Sequence, residues 1–126
     1  MNLTIAHLLL SIRELLSDKY EEAYRWSDAT LIRFIYEGIM RLNQVRPESR
    51  YVNYQLIDIE TPIILDDDED NVVSSYKEDE FPLDSRWSAP VIHYACYRAF
   101  QLDESDIMNG QRANEHLGYF NTWSQL

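Results

Sequence analysis

Asp66-Asp67-Asp68-Glu69-Asp70 is the densest run of ligating side chains in the chain. Carboxylates so close together either hold a hard cation through oxygen or stand in water as a repelling surface. Started at Asp67, a calcium loop would take Glu69, Asn71 and, in the last ligand place, Glu78, but Val72 stands where a glycine makes the sharp turn. Started at Asp66, the same loop puts Lys77 in place of the bidentate glutamate. The run therefore reads as a solvated acidic turn, and no metal is assigned to it.

The other chemistry-bearing residues are scattered. His7, His93 and His116 fall on three different predicted helices without a second His or Cys at ligand spacing, so they read as surface or hydrogen-bonded histidines. Cys96 is the single cysteine and falls on an inward helical face, which suits a small core residue in a reducing compartment. Only three glycines occur, with no phosphate loop and no nucleophile elbow. No catalytic residue and no cofactor is expected, and the chain does not read as an enzyme. Arg98 would need a carboxylate if buried, with Glu37 or Asp103 in reach. Nine tyrosines and three tryptophans are many for 126 residues, and such rings favour protein interfaces. Tyr51, Tyr54 and Tyr76, with Asp66, Asp67, Asp68, Glu69 and Asp70, are the candidate interface residues.

The elements that must carry these residues are mainly helical. With 45% hydrophobic residues the chain has enough apolar surface for one core, and a domain of this size buries roughly two thirds of its unfolded surface. A membrane span takes about twenty apolar residues, and none is expected here. The first apolar stretch contains His7 and Arg13, so it reads as a helix of the fold and not as a signal peptide. The net charge of -11 is concentrated between Asp58 and Asp84, where eleven acids meet one base, Lys77.

A first helix, about residues 3–17, is capped by Thr4 or Asn2 and carries a stripe of Ile5, Leu8, Leu9, Ile12, Leu15 and Leu16. Lys19 to Arg25 is a connection expected to lay Tyr20 and Tyr24 over the end of the bundle. Ser27 caps a second helix, about 27–45, in which Asp28 suits the positive end of the dipole and Trp26 is placed to staple onto Leu31. Leu31, Ile35, Ile39, Leu42 and Val45 give its face; Arg46-Pro47 stops it. Gly38, costly inside a helix by about 1 kcal/mol, implies a close helix contact. Tyr51 to Glu60 alternates as a strand, and Ile63–Leu65 and Val72-Val73 are short β-branched runs about the acidic turn. A third helix, about 86–102, presents Ile92, Ala95, Cys96, Ala99 and Leu102 and is small enough on that face to sit centrally. A short link at Asp106 recaps a fourth, about 106–122, facing inward through Gly110, Ala113, Leu117 and Phe120. The expected fold is a four-helix bundle with a short β-hairpin or extended arm, about residues 51–82, between helices two and three.

Two stretches resemble the head-to-tail adaptor (connector, or head-completion) proteins of tailed bacteriophages. The first is Arg25-Trp26-Ser27-Asp28 with Leu31, Ile35 and Arg46-Pro47-Glu48. The second is Tyr94, Tyr97-Arg98-Ala99-Phe100, Asp103, Asn109, Ala113, His116-Leu117 and Phe120, similar to the paired C-terminal helices of that family. The resemblance implies a virion protein of the neck, made in the host bacterial cytoplasm, that forms a homo-oligomeric ring of about twelve copies. Its implied partners are the portal protein and a tail or nozzle protein, with genomic DNA passing through without specific binding and no membrane contact. The middle of this chain is too short for the β-sandwich of longer members.

An acidic lining would let duplex phosphates slide without sticking, which agrees with that reading. The alternative is a small acidic DNA mimic that occupies a nucleic-acid enzyme. Its carboxylates should cover a long face, whereas here they gather in one insert. A metal-dependent enzyme would rest on the acidic turn alone and ranks last.

Overall fold

The computed structural model describes residues 2–20, 23–60, 76–103 and 106–125. Four long helices dominate: α1 (Ile5–Leu16), α2 (Asp28–Val45), α3 (Ser88–Leu102) and α4 (Asn109–Ser124). A two-stranded antiparallel hairpin, β1 (Tyr51–Val52) and β2 (Gln55–Leu56), lies between α2 and α3. The mainly helical architecture with its short hairpin is as the sequence implies.

Local chemistry accounts for the helix ends. Thr4 caps α1: its hydroxyl accepts from the His7 amide, and its own amide donates to His7 Nδ1 at 3.0 Å, so His7 is a capping residue. Ser17 closes α1 in the left-handed conformation, φ 55°. Ser27 accepts from the Thr30 amide at 3.1 Å, and α2 ends at Arg46, just before Pro47. Asp84 caps a 3-10 turn, Ser85–Trp87, that leads into α3 and leaves Pro90 in the first turn of the helix. At α4 the capping differs from expectation. Asp106 accepts from the Met108 amide at 2.9 Å, so it caps the turn ahead of the helix, which begins at Asn109.

α3 packs against each of the other three long helices. Gly38 explains how α2 comes so near: a β-carbon there would lie 3.2 Å from Tyr94 Cβ. The buried face of α3 is Pro90, Val91, Ala95, Cys96, Ala99 and Phe100. Ile92 is only half-buried and Leu102 is 60% exposed, so the inward face is rotated from the one expected, toward Val91 and Phe100. On α1 Leu15 is exposed and Arg13 takes the inward place. Val45 lies at the exposed end of α2, and Gly110 on α4 faces open space.

The middle of the chain departs most from expectation. Tyr51 to Glu60 does not run on as one strand; it reverses at Asn53-Tyr54, and Tyr51 pairs with Leu56. Both turn residues have positive φ, 52° and 66°, which is how a two-residue turn matches the twist of its strands. The runs Ile63–Leu65 and Val72-Val73 and the turn Asp66 to Asp70 lie outside the described residues. Nor is the whole 51–82 stretch an arm. Phe81 and Leu83 are in the core, the Phe81 amide donates to the Leu3 carbonyl at 2.8 Å, and Glu80 bridges Thr4.

Candidate interaction surface

Tyr51 and Leu56, paired across the hairpin, are both exposed, and Tyr54 at its tip is fully exposed. The hairpin thus offers an aromatic and aliphatic patch at the end of the molecule where α2 finishes. Beside it Met40, Asn43, Gln44, Arg50, Ile57, Asp58 and Ile59 line an open groove of about 330 Å³. The left-handed conformation of Tyr54 is costly for a bulky residue, and its ring gains nothing from the fold in return.

Tyr76 is a different case. Its ring meets Tyr36 edge-on at 6.5 Å and packs against the core. Burial, with Asp79 and Tyr76 nearby, pushes the Tyr36 hydroxyl above its ordinary value. Tyr76 is thus part of the bundle's edge and not a free contact residue. Asp66, Asp67, Asp68, Glu69 and Asp70 lie outside the described residues, so the tertiary structure does not bear on their place in an interface.

The opposite end of the bundle carries a second apolar patch. α2 and α3 run antiparallel, since Arg98 Nε donates to Glu37 Oε2 at 3.0 Å and Trp26 meets Phe100. Leu102 therefore lies at the end where α2 begins, with Ile107, 94% exposed, and Met108 in the following turn. The Arg98–Glu37 pair is the ion pair expected for that arginine.

Two further arrangements, the buried Arg13 and the His93–His116 pair, differ from the sequence-based expectation. Arg13, 5% exposed, donates to Asp18 at 2.8 Å, to Asp28 at 2.6 Å and to the Trp26 carbonyl at 3.0 Å, with its guanidinium 3.4 Å above the Tyr24 ring. Tyr24 is thus held by Arg13, while Tyr20 is exposed and covers no core residue. Burial raises the Asp28 carboxyl, but hydrogen bonds and charge from Arg13 and Lys77 outweigh it and hold the group below its ordinary value. The signal for Arg13 was present: it lies four residues after Leu9 and three before Leu16, within the apolar stripe.

His93 and His116, on α3 and α4, bring their Nδ1 atoms to 3.0 Å. Cys96 is buried, which pushes its thiol to about 12 and leaves no reactive thiolate at neutral pH. Among the described residues no three His, Cys, Asp or Glu side chains gather as a metal would need, and no helix is long and apolar enough to cross a membrane.

Comparison with protein-family models, curated proteins and solved structures gives no match to this chain.

Proposed function

We propose that this chain is a structural subunit of a head-to-tail adaptor ring in a tailed bacteriophage, seated between portal and tail, through which the genome passes without being bound. The observation that carries the reading is where the two resembling stretches meet. Trp26, from the first, donates its indole N–H to the carbonyl oxygen of Ala99, from the second, at 2.9 Å and sets its ring edge against Phe100. Arg25 and Asp103, again one from each, pair at 3.6 Å. The residues that carry the resemblance thus form one connected part of the bundle.

Ring closure supplies further support. A ring of identical subunits needs two unlike surfaces on each copy. The hairpin patch of Tyr51, Tyr54 and Leu56 and the far patch of Leu102, Ile107 and Met108 are unlike and lie at opposite ends.

The test is the mass of the purified protein in solution, alone and with its portal. Ring formation, alone or on the portal template, is the expected result. A chain that stays monomeric, ignores the portal and instead blocks a nucleic-acid enzyme would replace this reading with the DNA mimic.

A further inference from the structure

α3 and α4 are joined by a hydrogen bond between two imidazoles. The Nδ1 atoms of His93 and His116 are 3.0 Å apart, while the ring centres are 5.2 Å apart with planes inclined by 26°. The difference is about the sum of the two ring radii, so each nitrogen lies close to the line between the centres and the rings meet edge to edge. Such a contact requires one N–H and one bare nitrogen; two N–H groups in the same place repel.

The surroundings make the pair sensitive to a second proton. Phe100 lies nearly parallel to His116, at 19° and 5.6 Å, and Tyr119 touches both imidazoles, at 5.1 Å from His93 and 5.8 Å from His116. Behind Phe100 stands Trp26, from the segment that leads into α2. The cleft beside His116 is lined by Leu15 and Leu16 of α1 with Ser17, Arg25 from the α1–α2 link, Asp106 ahead of α4, and Arg112 and Glu115 on α4. Two acids and two bases leave no surplus charge to favour an imidazolium.

We propose that His93 and His116 are a proton-operated latch: one proton shared between the two Nδ1 atoms ties α4 to α3, and acidification that charges both imidazoles puts a proton on each Nδ1, turns the bond into repulsion between two donors and frees α4 from α3. Burial holds both imidazoles below their ordinary value, and charge on His116 adds to the effect at His93. The folded state therefore binds fewer protons than the unfolded one. The latch is intact above the ordinary imidazole value, about 6.5, and its contribution is lost as pH falls through the lowered folded values. The inference stands apart from the adaptor reading.

Hydrogen exchange of the full chain, read helix by helix, tests it. Protection of the α4 amides should fall about tenfold more than that of α2 between about pH 7.5 and about pH 5. His116→Phe, which keeps a ring against Phe100 and removes the titration, should abolish that difference. Reading by helix also separates the latch from His7, whose cap belongs to α1. Equal loss in the variant, or α4 protection that does not change while both imidazoles titrate, would overturn the proposal. Should the variant fail to fold, nitrogen-15 spectra of the parent decide. The latch requires one protonated and one bare Nδ1 at neutral pH, changing over the same interval; two rings that titrate independently refute it. Stoichiometric Zn²⁺ binding that shifts both Nδ1 signals would make the pair a metal site and would equally refute it.

Discussion

The indole N–H of Trp26 reaches the main-chain carbonyl of Ala99, 73 residues away, at 2.9 Å. That oxygen also accepts from the Asp103 amide at 3.2 Å, so one carbonyl closes the last turn of α3 and anchors the entrance to α2. Truncating Trp26 to alanine removes a buried ring and the bond together, and should cost about 3 to 5 kcal/mol. Trp26→Phe keeps most of the ring and should cost about 1 to 3 kcal/mol. Denaturant midpoints with unchanged slope would measure both, and a Trp26→Phe cost near zero would show that the hydrogen bond contributes nothing.

Gly38 and Tyr94 set a prediction whose sign depends on background. Alanine at 38 gains about 1 kcal/mol of helix propensity, but its β-carbon would sit 3.1 and 3.2 Å from Tyr94 Cδ1 and Cβ. Cβ is held by the backbone and gives little, so Gly38→Ala should be net destabilising by about 1 kcal/mol. In a Tyr94→Gly background, where neither Cβ nor ring remains, the same change should become neutral or stabilising. A double-mutant cycle reads the difference directly.

Arg13 holds two carboxylates, and removing it leaves Asp18 uncompensated in the interior. Arg13→Met should cost about 3 to 5 kcal/mol. Asp28→Asn should cost less, because Asp28 is partly exposed and shared with Lys77 at 2.5 Å. The folded-state carboxyl of Asp28 titrates below its ordinary value, so its stabilising contribution is present above that value and is lost as pH falls through the lowered one. A thermal-unfolding series across acid pH should show this loss in the parent and a shallower one in Asp28→Asn.

Tyr54 offers a test in which stability and assembly move in opposite directions. Glycine suits its left-handed backbone, so Tyr54→Gly should stabilise the isolated protein by about 1 kcal/mol and, under the adaptor role proposed above, weaken assembly on the portal. A variant that is more stable and assembles as well as the parent would remove Tyr54 from the interface.

Replacing residues 61–75, which include the acidic run, by a short Gly-Ser link should leave the helical circular dichroism intact. The contacts of Tyr76, Glu80, Phe81 and Leu83 with the bundle remain in that variant. Under the proposed adaptor role, heads carrying it should fail to join tails; normal joining would deny the segment an assembly role.

Thr4, Ser27 and Pro47 marked three helix ends from the chain alone, because a cap or a proline acts on backbone groups within a few residues of itself. The close approach implied by Gly38 was legible for a similar reason: a glycine that costs propensity in mid-helix points to a neighbour's backbone or side chain. Residue type alone makes Tyr51, Tyr54 and Tyr76 one candidate set; the structure leaves Tyr51 and Tyr54 exposed and sets the Tyr76 ring against Tyr36. The turn at Asn53-Tyr54 escaped because reversal there needs two positive φ angles without a glycine, and strand alternation looks the same on either side of it. Only the tertiary structure decided what Arg13 pairs with, since Asp18 and Asp28 stand at the two ends of a link whose path is not written in any periodicity. It also decided that His93 faces His116. Twenty-three residues separate them, and their meeting depends on the register in which α4 folds back along α3. Asn109 ties the start of α4 to the end of α3, its side chain donating to the Asp103 carbonyl at 3.0 Å and accepting from Arg112 at 2.9 Å, contacts that residue types do not announce.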